Sequence, residues 1–203
     1  MQPRLRLALF LAGIFAITAA AAVLLFAVGT KTVSATAFSG ALRPPGIPPE
    51  EFGMRDEHGR VVRLAGLRGK PVVVTFLYTT CEDTCPLTVD QIRLGLDELG
   101  HDVPVIAVSV DPRNDTRGAA RRFSRLRQMT GRMRWVLGSE RELRRVWRAY
   151  GVQPQTDRDE HSASTVLLDG RGRQRIGFST SVLTPDALAH DIAVLEREER
   201  AAG

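Results

Sequence analysis

The two cysteines of the chain, Cys81 and Cys85, are four residues apart, at the point where an apolar run gives way to a helix-like pattern. Residues at this spacing lie on one face of a helix, so both thiols can point the same way if the helical turn begins near Cys81. The free N–H groups and the dipole at a helix N-terminus favour a negative sulfur, which lowers a thiol pKa from its usual value of about 8.5. The spacing therefore predicts two adjacent sulfurs that ionise readily.

Three kinds of chemistry fit such a pair. A disulfide needs its two Cα atoms within roughly 7 Å, which a four-residue helical step provides with some strain. A soft metal ion needs deprotonated sulfur, and Cu(I) is the ion that two thiolates and one imidazole satisfy most readily. A structural disulfide is the third reading, although so short a loop constrains the unfolded chain little. The spacing leaves these open, because C-x3-C is a weak motif and disulfide oxidoreductases normally use C-x2-C.

The elements that must position the cysteines are predicted from the apolar pattern. The run PVVVTFLY, 71–78, is typical of a buried central strand, and VPVIAVSV, 103–110, of a second one. Between them, apolar residues at spacings of three and four predict a helix after the cysteines. These residues are Val89, Ile92, Leu96 and Leu99. Thr116 is placed to cap a second helix. Its inward-facing residues are expected to be Ala119, Ala120, Phe123 and Leu126.

Two hairpins and two further helices complete the pattern. The stretch FGMRDEHGRVVRL, 52–64, predicts a hairpin that turns at His58 and Gly59, and the segments STVLLD and RQRIGF predict another around GRG. A final helix opens at Thr184 and Pro185. The helix before the second hairpin is predicted from Leu143, Val146, Trp147 and Tyr150.

The order of these elements predicts the fold class. It reads strand, helix, strand, two helices, an antiparallel hairpin and a last helix. Two strands joined through a helix predict a right-handed parallel crossover, and the closing hairpin makes the sheet mixed. The expected fold is therefore α/β, a thioredoxin-like mixed sheet flanked by helices, over residues 51–198.

His161 is the candidate third ligand. It lies just before the strand that opens the second hairpin, and in the expected fold this loop faces the N-terminus of the helix that carries the cysteines. In a thioredoxin a cis-proline occupies this position and helps to bind a substrate chain. Here the nearby proline, Pro154, lies well upstream. A histidine at this position would supply a metal ligand where a thioredoxin has a residue that guides a peptide.

The N-terminal segment predicts a membrane anchor over residues 1–30. Residues 7–28 carry no charge and are long enough to cross a bilayer, which takes roughly 20 apolar residues. A cleaved secretory signal is the competing reading, but the apolar run resumes as VLLFAV after the alanines. Arg4 and Arg6 should stay cytoplasmic. We therefore expect a single-pass protein of the cell inner membrane, in which this anchor precedes a domain on the periplasmic side.

A proline-rich tether is predicted for residues 31–50, because prolines at this density favour an extended spacer. Export to an oxidising compartment also makes a disulfide between the two cysteines realistic.

The charge of the chain is carried by an arginine-rich middle, between Arg113 and Arg148, and the formal net charge is +5. A basic face can bind nucleic acid, anionic lipid or an acidic protein, or it can simply be solvated. No nucleic-acid-binding motif accompanies the arginines, so nucleic acid is not an expected partner.

Three segments of the chain, spread over roughly residues 50–195, resemble the Sco/SenC family of membrane-anchored, copper-binding assembly factors. They are FGMRDEHGRVVRLAGLRGKPVVVTFLYTTCEDTCP, VIAVSVDPRNDT and YGVQPQTDRDEHSASTVLLDGRG, in family order. The resemblance implies that Cys81, Cys85 and His161 bind copper, as Cu(I) or Cu(II). It also implies that the domain helps to mature the dinuclear copper centre of a haem-copper oxidase.

One departure from the family pattern lies beside the first cysteine. The family usually has proline after it, where this chain has Glu82, whereas Asp83 matches the family's acidic residue. An added carboxylate beside a thiolate should raise the pKa of that thiol.

Two functions remain open at this stage. The first is a metallochaperone that passes copper to the copper-binding subunit of the oxidase. The alternative is a thiol-disulfide oxidoreductase, with Cys81 and Cys85 as redox-active thiols, that reduces the cysteines of that subunit. Another copper chaperone or a thiol reductase is a further candidate partner.

Overall fold

The structure is a computed structural model that describes residues 38–47, 51–154 and 164–202. The predicted anchor lies outside these residues. Within them, no helix combines the length and the apolar character that a bilayer span needs.

The described residues contain eight strands, which are β1 Ala41–Leu42, β2 Gly53–Asp56, β3 Val61–Arg63, β4 Val72–Leu77, β5 Val105–Ser109, β6 Met133–Leu137, β7 Ser164–Leu168 and β8 Gln174–Ser179. Strands β4, β5 and β6 are parallel, and the pairs β4–β7, β7–β8, β1–β8, β2–β6 and β2–β3 are antiparallel. Together the eight strands form one mixed sheet in the order β1-β8-β7-β4-β5-β6-β2-β3. This arrangement confirms the predicted parallel crossover and the antiparallel closing hairpin.

Helices cover both faces of the sheet, which gives the thioredoxin-like α/β fold. They are α1 Thr84–Leu99, α2 Arg117–Leu126, α3 Glu140–Tyr150 and α4 Pro185–Ala202, with a 3-10 helix at Leu64–Leu67. Helices α1, α2 and α4 pack on one face of the sheet, and α3 and the 3-10 helix pack on the other. Each face therefore has its own hydrophobic core.

Strand β4 lies in the middle of the sheet and carries the chain to the first cysteine. All six of its residues are buried, as its continuous apolar sequence predicts. Val73 and Leu77 pack in the core beneath α1, whereas Val74 and Phe76 pack in the core beneath α3. Because neighbouring strands hold β4 on both edges, the end of this strand is a rigid support for the loop that follows.

The two predicted hairpins turn in the same way. In each turn an aspartate, Asp56 or Asp169, accepts hydrogen bonds from the N–H groups two and four residues later. The arginine four residues later, Arg60 or Arg173, donates from Nε to the same carboxylate. A buried carboxylate thus closes each turn with charge-assisted hydrogen bonds.

Strand β6 is a central strand that the apolar pattern did not predict. It is short, and Arg134 interrupts its apolar sequence, so it resembles a loop between two helices. Parallel pairing with β5 nevertheless buries Met133, Trp135 and Val136 almost completely. Tertiary pairing, rather than local pattern, makes this strand.

Part of the predicted tether belongs to the folded domain. Ala41–Leu42 pairs with β8, and the N–H groups of Ser39 and Gly40 donate to the buried carboxylate of Asp191, at 2.8 and 2.9 Å. Among the described residues, the folded unit therefore includes Phe38 onwards rather than beginning at residue 51. The sequence pattern did not predict this strand, because β1 has only two residues and pairs with a strand far along the chain.

The inner face of α2 agrees with the prediction except at its end. Thr116 caps the helix by accepting from the N–H of Ala119 at 3.1 Å, and Ala120 and Phe123 are buried. Leu126, which was expected to face inward, has 60% of its surface exposed. The last turn of α2 thus presents an apolar side chain to solvent.

Candidate metal centre

The two cysteines lie where β4 gives way to α1. Cys81 follows the strand in a short loop, and its N–H donates to the carbonyl of Tyr78 at 3.4 Å. Cys85 lies in the first turn of α1, as the sequence predicts. Both are free thiols; 9% of the Cys81 surface is exposed and none of the Cys85 surface. Cys81 is therefore the sulfur that a partner molecule can reach first.

The sulfur of Cys81 caps helix α1. The backbone N–H of Cys85 donates to Cys81 Sγ at 3.2 Å, and the hydroxyl of Thr84 lies 3.5 Å from the same sulfur. Asp83 stands at the N-cap position, but its side chain makes no capping hydrogen bond. A side-chain oxygen normally fills this role. Here a sulfur does so, which places it at the positive end of the helix dipole.

This environment makes the two thiols unequal. A hydrogen bond from the Cys85 side chain, with help from Thr84 and the Cys85 N–H, lowers the pKa of Cys81 to about 4, against the effect of burial. The same hydrogen bond and the burial of Cys85 raise its own pKa well above the ordinary value. At neutral pH the pair therefore holds one thiolate, on Cys81, and one thiol that donates to it.

Asp115 holds the loop of Cys81 in place. Its Oδ1 accepts from the N–H of Thr79 at 2.6 Å, and its Oδ2 accepts from the hydroxyl of Ser109 at 2.5 Å. The carboxylate is buried, and this burial raises its pKa. The sequence did not single out Asp115, because its partners are 36 and 6 residues away and its position before Thr116 is that of an ordinary loop residue.

Ser109 joins three elements behind the cysteines. Its carbonyl accepts from Trp147 Nε1 of α3 at 2.9 Å while its hydroxyl donates to Asp115. The end of β5 is thereby tied both to the opposite helix layer and to the Cys81 loop. These contacts let the rigid sheet fix the position of the first sulfur.

Asp111 forms the turn after β5. Its carbonyl accepts from the N–H groups of Asn114 and Asp115, and its Oδ2 accepts from Asn114 Nδ2 at 2.7 Å. The backbone carbonyl and the side chain of Asp111 therefore both bond within this turn.

His161 lies outside the described residues, so its predicted place near the sulfurs stays a prediction. The described chain resumes at Ser164, where β7 begins beside the end of β4: Thr75 pairs with Thr165. Strand β7 thus begins at the same edge of the sheet at which β4 ends. Within the ranges that the structure covers, no group of three or more His, Cys, Asp or Glu side chains is arranged to hold a metal ion.

The other three histidines each lie beside a carboxylate. His58 Nε2 is 3.3 Å from Glu57, His101 Nε2 is 2.8 Å from Glu196, and His190 Nδ1 is 2.9 Å from Asp191. They lie in a turn, a loop and the last helix, respectively.

Comparison with known proteins assigns the family. The protein-family model described as SCO1/SenC matches residues 44–196, which is most of the chain. The chain therefore belongs to the SCO1/SenC family, as its three motif segments indicated.

Two curated relatives illustrate the similarity. Protein SenC of Rhodobacter capsulatus is 31% identical over 138 residues, which cover 63% of this chain and 59% of the relative. The mitochondrial SCO2 homolog of Bos taurus is 28% identical over 145 residues, covering 65% of this chain and 54% of the relative. The chain thus spans little more than half the length of these two curated relatives.

Solved structures share the fold. A structure of Bradyrhizobium japonicum ScoI with copper bound is 30% identical, has a TM-score of 0.61 and covers 73% of this chain and 98% of its own. Arabidopsis thaliana ScoI, also solved with copper bound, is 23% identical, with a TM-score of 0.66 and coverage of 74% and 98%. The second likeness concerns the fold alone.

Proposed function

We propose that this protein is a membrane-anchored copper carrier that helps to mature the dinuclear copper centre of cytochrome c oxidase. The observation that carries the proposal is the paired sulfur site at the N-terminus of α1, where Cys81 accepts an N–H hydrogen bond from Cys85 at 3.2 Å. Membership of the SCO1/SenC family and a copper-bound relative at 30% identity support it.

The donor set fits copper as a cargo. Cys81 is a thiolate at neutral pH and needs no proton loss to bind a soft cation, whereas Cys85 must give up its proton on binding. Two thiolates and an imidazole suit Cu(I), and we assign the imidazole to His161. The partial exposure of Cys81 lets an acceptor with its own thiols exchange ligands with it.

The place of action follows from the N-terminal segment. Residues 7–28 are proposed as the anchor in the cell inner membrane, with the domain on the periplasmic side. The partner is then the copper-binding subunit of the oxidase on the same side of the membrane.

The inequality of the two thiols favours a second candidate, thiol-disulfide exchange. The Cys81 thiolate would attack one sulfur of a disulfide in the oxidase subunit and release the other sulfur as a thiol. Cys85 would then displace the subunit from Cys81, leaving a Cys81–Cys85 disulfide and a fully reduced subunit. This reaction needs both cysteines and does not need His161.

The variant His161→Ala separates the two functions, because it removes the imidazole and leaves both thiols. For the carrier we expect loss of active oxidase in cells, measured by its copper content, while thiol exchange with a model disulfide in vitro stays within about twofold. The variant Cys81→Ser should lose both activities, and His101→Ala is the matched control. Full oxidase assembly in cells with His161→Ala would contradict the carrier and favour the reductase.

A further inference from the structure

Helix α2 presents an exposed arginine face, which consists of Arg117, Arg121, Arg122 and Arg125. We propose that this face binds an acidic surface of the protein that receives copper from Cys81. The inference rests on the proposed function and names the surface through which that partner docks.

The charge of α2 is not balanced within the helix. Its sequence, RGAARRFSRL, has four arginines and no acidic residue. Helix α3 also has four arginines, but it contains Glu140, which pairs with Arg144, and Glu142, which bonds to the Ser139 cap. The arginine-rich middle of the sequence is thus two helices of different character, on opposite faces of the sheet.

The charge of this face is not balanced by its surroundings either. Nearby arginines are neutralised, since Arg127 pairs with Asp90 at 3.1 Å and Arg132 pairs with two aspartates. Arg122 and Arg125 form no ion pair with any residue in the described ranges. Arg121 donates to the carbonyl of Glu57, which leaves its positive charge in place. The face therefore carries a positive potential that attracts an anionic partner.

The arginine face adjoins the metal centre. Thr116 caps α2, and the preceding residue, Asp115, holds the N–H of Thr79, two residues before Cys81, at 2.6 Å. At its other end α2 is joined to α1 by the ion pair of Arg127 and Asp90. A molecule bound along α2 therefore lies beside the loop that presents Cys81.

Two exposed leucines favour a protein over a lipid surface. Leu126 at the end of α2 is 60% exposed, and Leu87, two residues after Cys85 in α1, is 49% exposed. Apolar contacts bordered by arginine are typical of protein interfaces. A membrane held by the same face would cover the Cys81 loop, whereas a copper acceptor must reach it.

The test compares two double variants of the full chain in neutral detergent, each of which removes two positive charges. Arg122→Gln with Arg125→Gln alters the arginine face, and Arg141→Gln with Arg148→Gln alters exposed positions of α3 as the matched control. The probe is the copper-free, copper-binding domain of the oxidase subunit from the same organism. We expect the α2 variant to associate on the order of tenfold more slowly than the unaltered chain at low ionic strength, with little difference in high salt. The control should associate within about twofold of the unaltered chain.

Copper loading of each variant is measured first and should equal that of the unaltered chain. An unaltered chain that takes up no copper would refute the proposed function itself. If copper is bound normally but the α2 and α3 variants associate with the acceptor equally fast, the proposed docking surface is wrong. The proposed function as a copper carrier is then unaffected. Loss of salt-sensitive binding to vesicles of phosphatidylcholine and phosphatidylglycerol by the α2 variant, with unchanged acceptor binding, would assign the face to the membrane and overturn the proposal.

Discussion

At the scale of single residues, the site contains two identical side chains with different chemistry. Cys81 accepts hydrogen bonds from Cys85 and Thr84 at a helix N-terminus, and Cys85 is fully buried and donates. The outer sulfur is thus kept ionised and accessible while the inner one keeps its proton. This division suits a site that must first meet a partner and then complete a bond.

Alkylation of the reduced, copper-free chain should report this inequality. Cys81, with a pKa of about 4, is a thiolate over the whole range from pH 6 to pH 8, so its rate with iodoacetamide should change by less than about twofold. A thiol with the ordinary pKa of about 8.5 would react on the order of a hundredfold faster at pH 8 than at pH 6. Mass spectrometry of the modified peptide identifies which cysteine reacts, and Cys85 should react only when the protein unfolds.

The variant Cys85→Ala is the control for this experiment, because serine would keep a hydroxyl that can donate to Cys81. Because the Cys85 side chain is the largest cause of the lowered pKa, its loss should move the midpoint of the Cys81 profile upward. If the alkylation rate of Cys81 in the unaltered chain rose with a midpoint near pH 8.5, the conclusion that Cys81 is a thiolate at neutral pH would be wrong.

The sequence predicted the positions of the two cysteines better than their protonation states. The spacing of Cys81 and Cys85 predicted the helix N-terminus and two thiols of lowered pKa. The pKa of Cys81 is lowered, but burial and its hydrogen bond to Cys81 raise the pKa of Cys85, so the prediction is wrong for that thiol. The spacing did not indicate which sulfur would be ionised, because that depends on the loop geometry around Thr79. Asp115, which fixes this loop, is 36 residues from Thr79 and becomes recognisable only in the fold.

At the scale of elements, the turns that close the two hairpins depend on buried carboxylates. Burial raises the pKa of Asp169, but hydrogen bonds from Arg173 and from backbone N–H groups lower the pKa by more than burial raises it. The pKa of Asp169 therefore lies below the ordinary value. A carboxyl whose pKa is lower in the folded state stabilises the fold above its unfolded pKa of about 3.9. This contribution is lost as the pH falls through the folded pKa.

The variant Asp169→Asn should therefore be less stable by about 1–3 kcal/mol at pH 7, since it loses charge-assisted hydrogen bonds at a buried position. The difference from the unaltered chain should shrink as the pH falls below about 4. Urea denaturation at pH 7 and pH 3.5 measures both values, and the exposed Glu98→Gln is the control. A difference that stays constant with pH would show that the charge of Asp169 does not matter.

The elements differ in how far their sequences predicted them. Helices α1 and α3 and strands β4 and β5 have continuous local patterns, and the structure contains them close to the predicted positions. Strand β6 and the two-residue β1 depend on partners elsewhere in the chain, and no local pattern marks them. Leu126 shows a related limit, since helical periodicity assigns it to the inner face of α2 whereas 60% of its surface is exposed.

At the scale of the whole molecule, the groups that form the candidate site come from strands that end or begin at one edge of the sheet. The loop after β4 carries the cysteines, the turn after β5 supplies Asp115, and β7 begins beside the end of β4. The first strand is fastened at another edge, where Arg43 donates to Gln174 and to the carbonyl of Tyr150. These contacts join the start of the described chain to β8 and to the end of α3.

Anaerobic titration of the reduced full chain with Cu(I) and Cu(II), followed by absorption spectroscopy, tests most directly whether Cys81, Cys85 and His161 hold one copper ion together. We predict one tightly bound copper per chain, with thiolate-to-Cu(II) charge-transfer bands that are lost in Cys81→Ser and Cys85→Ser. The variant His161→Ala should bind copper at least tenfold more weakly, whereas His101→Ala should match the unaltered chain. Copper binding by His161→Ala with unchanged affinity and an unchanged spectrum would contradict this proposed site.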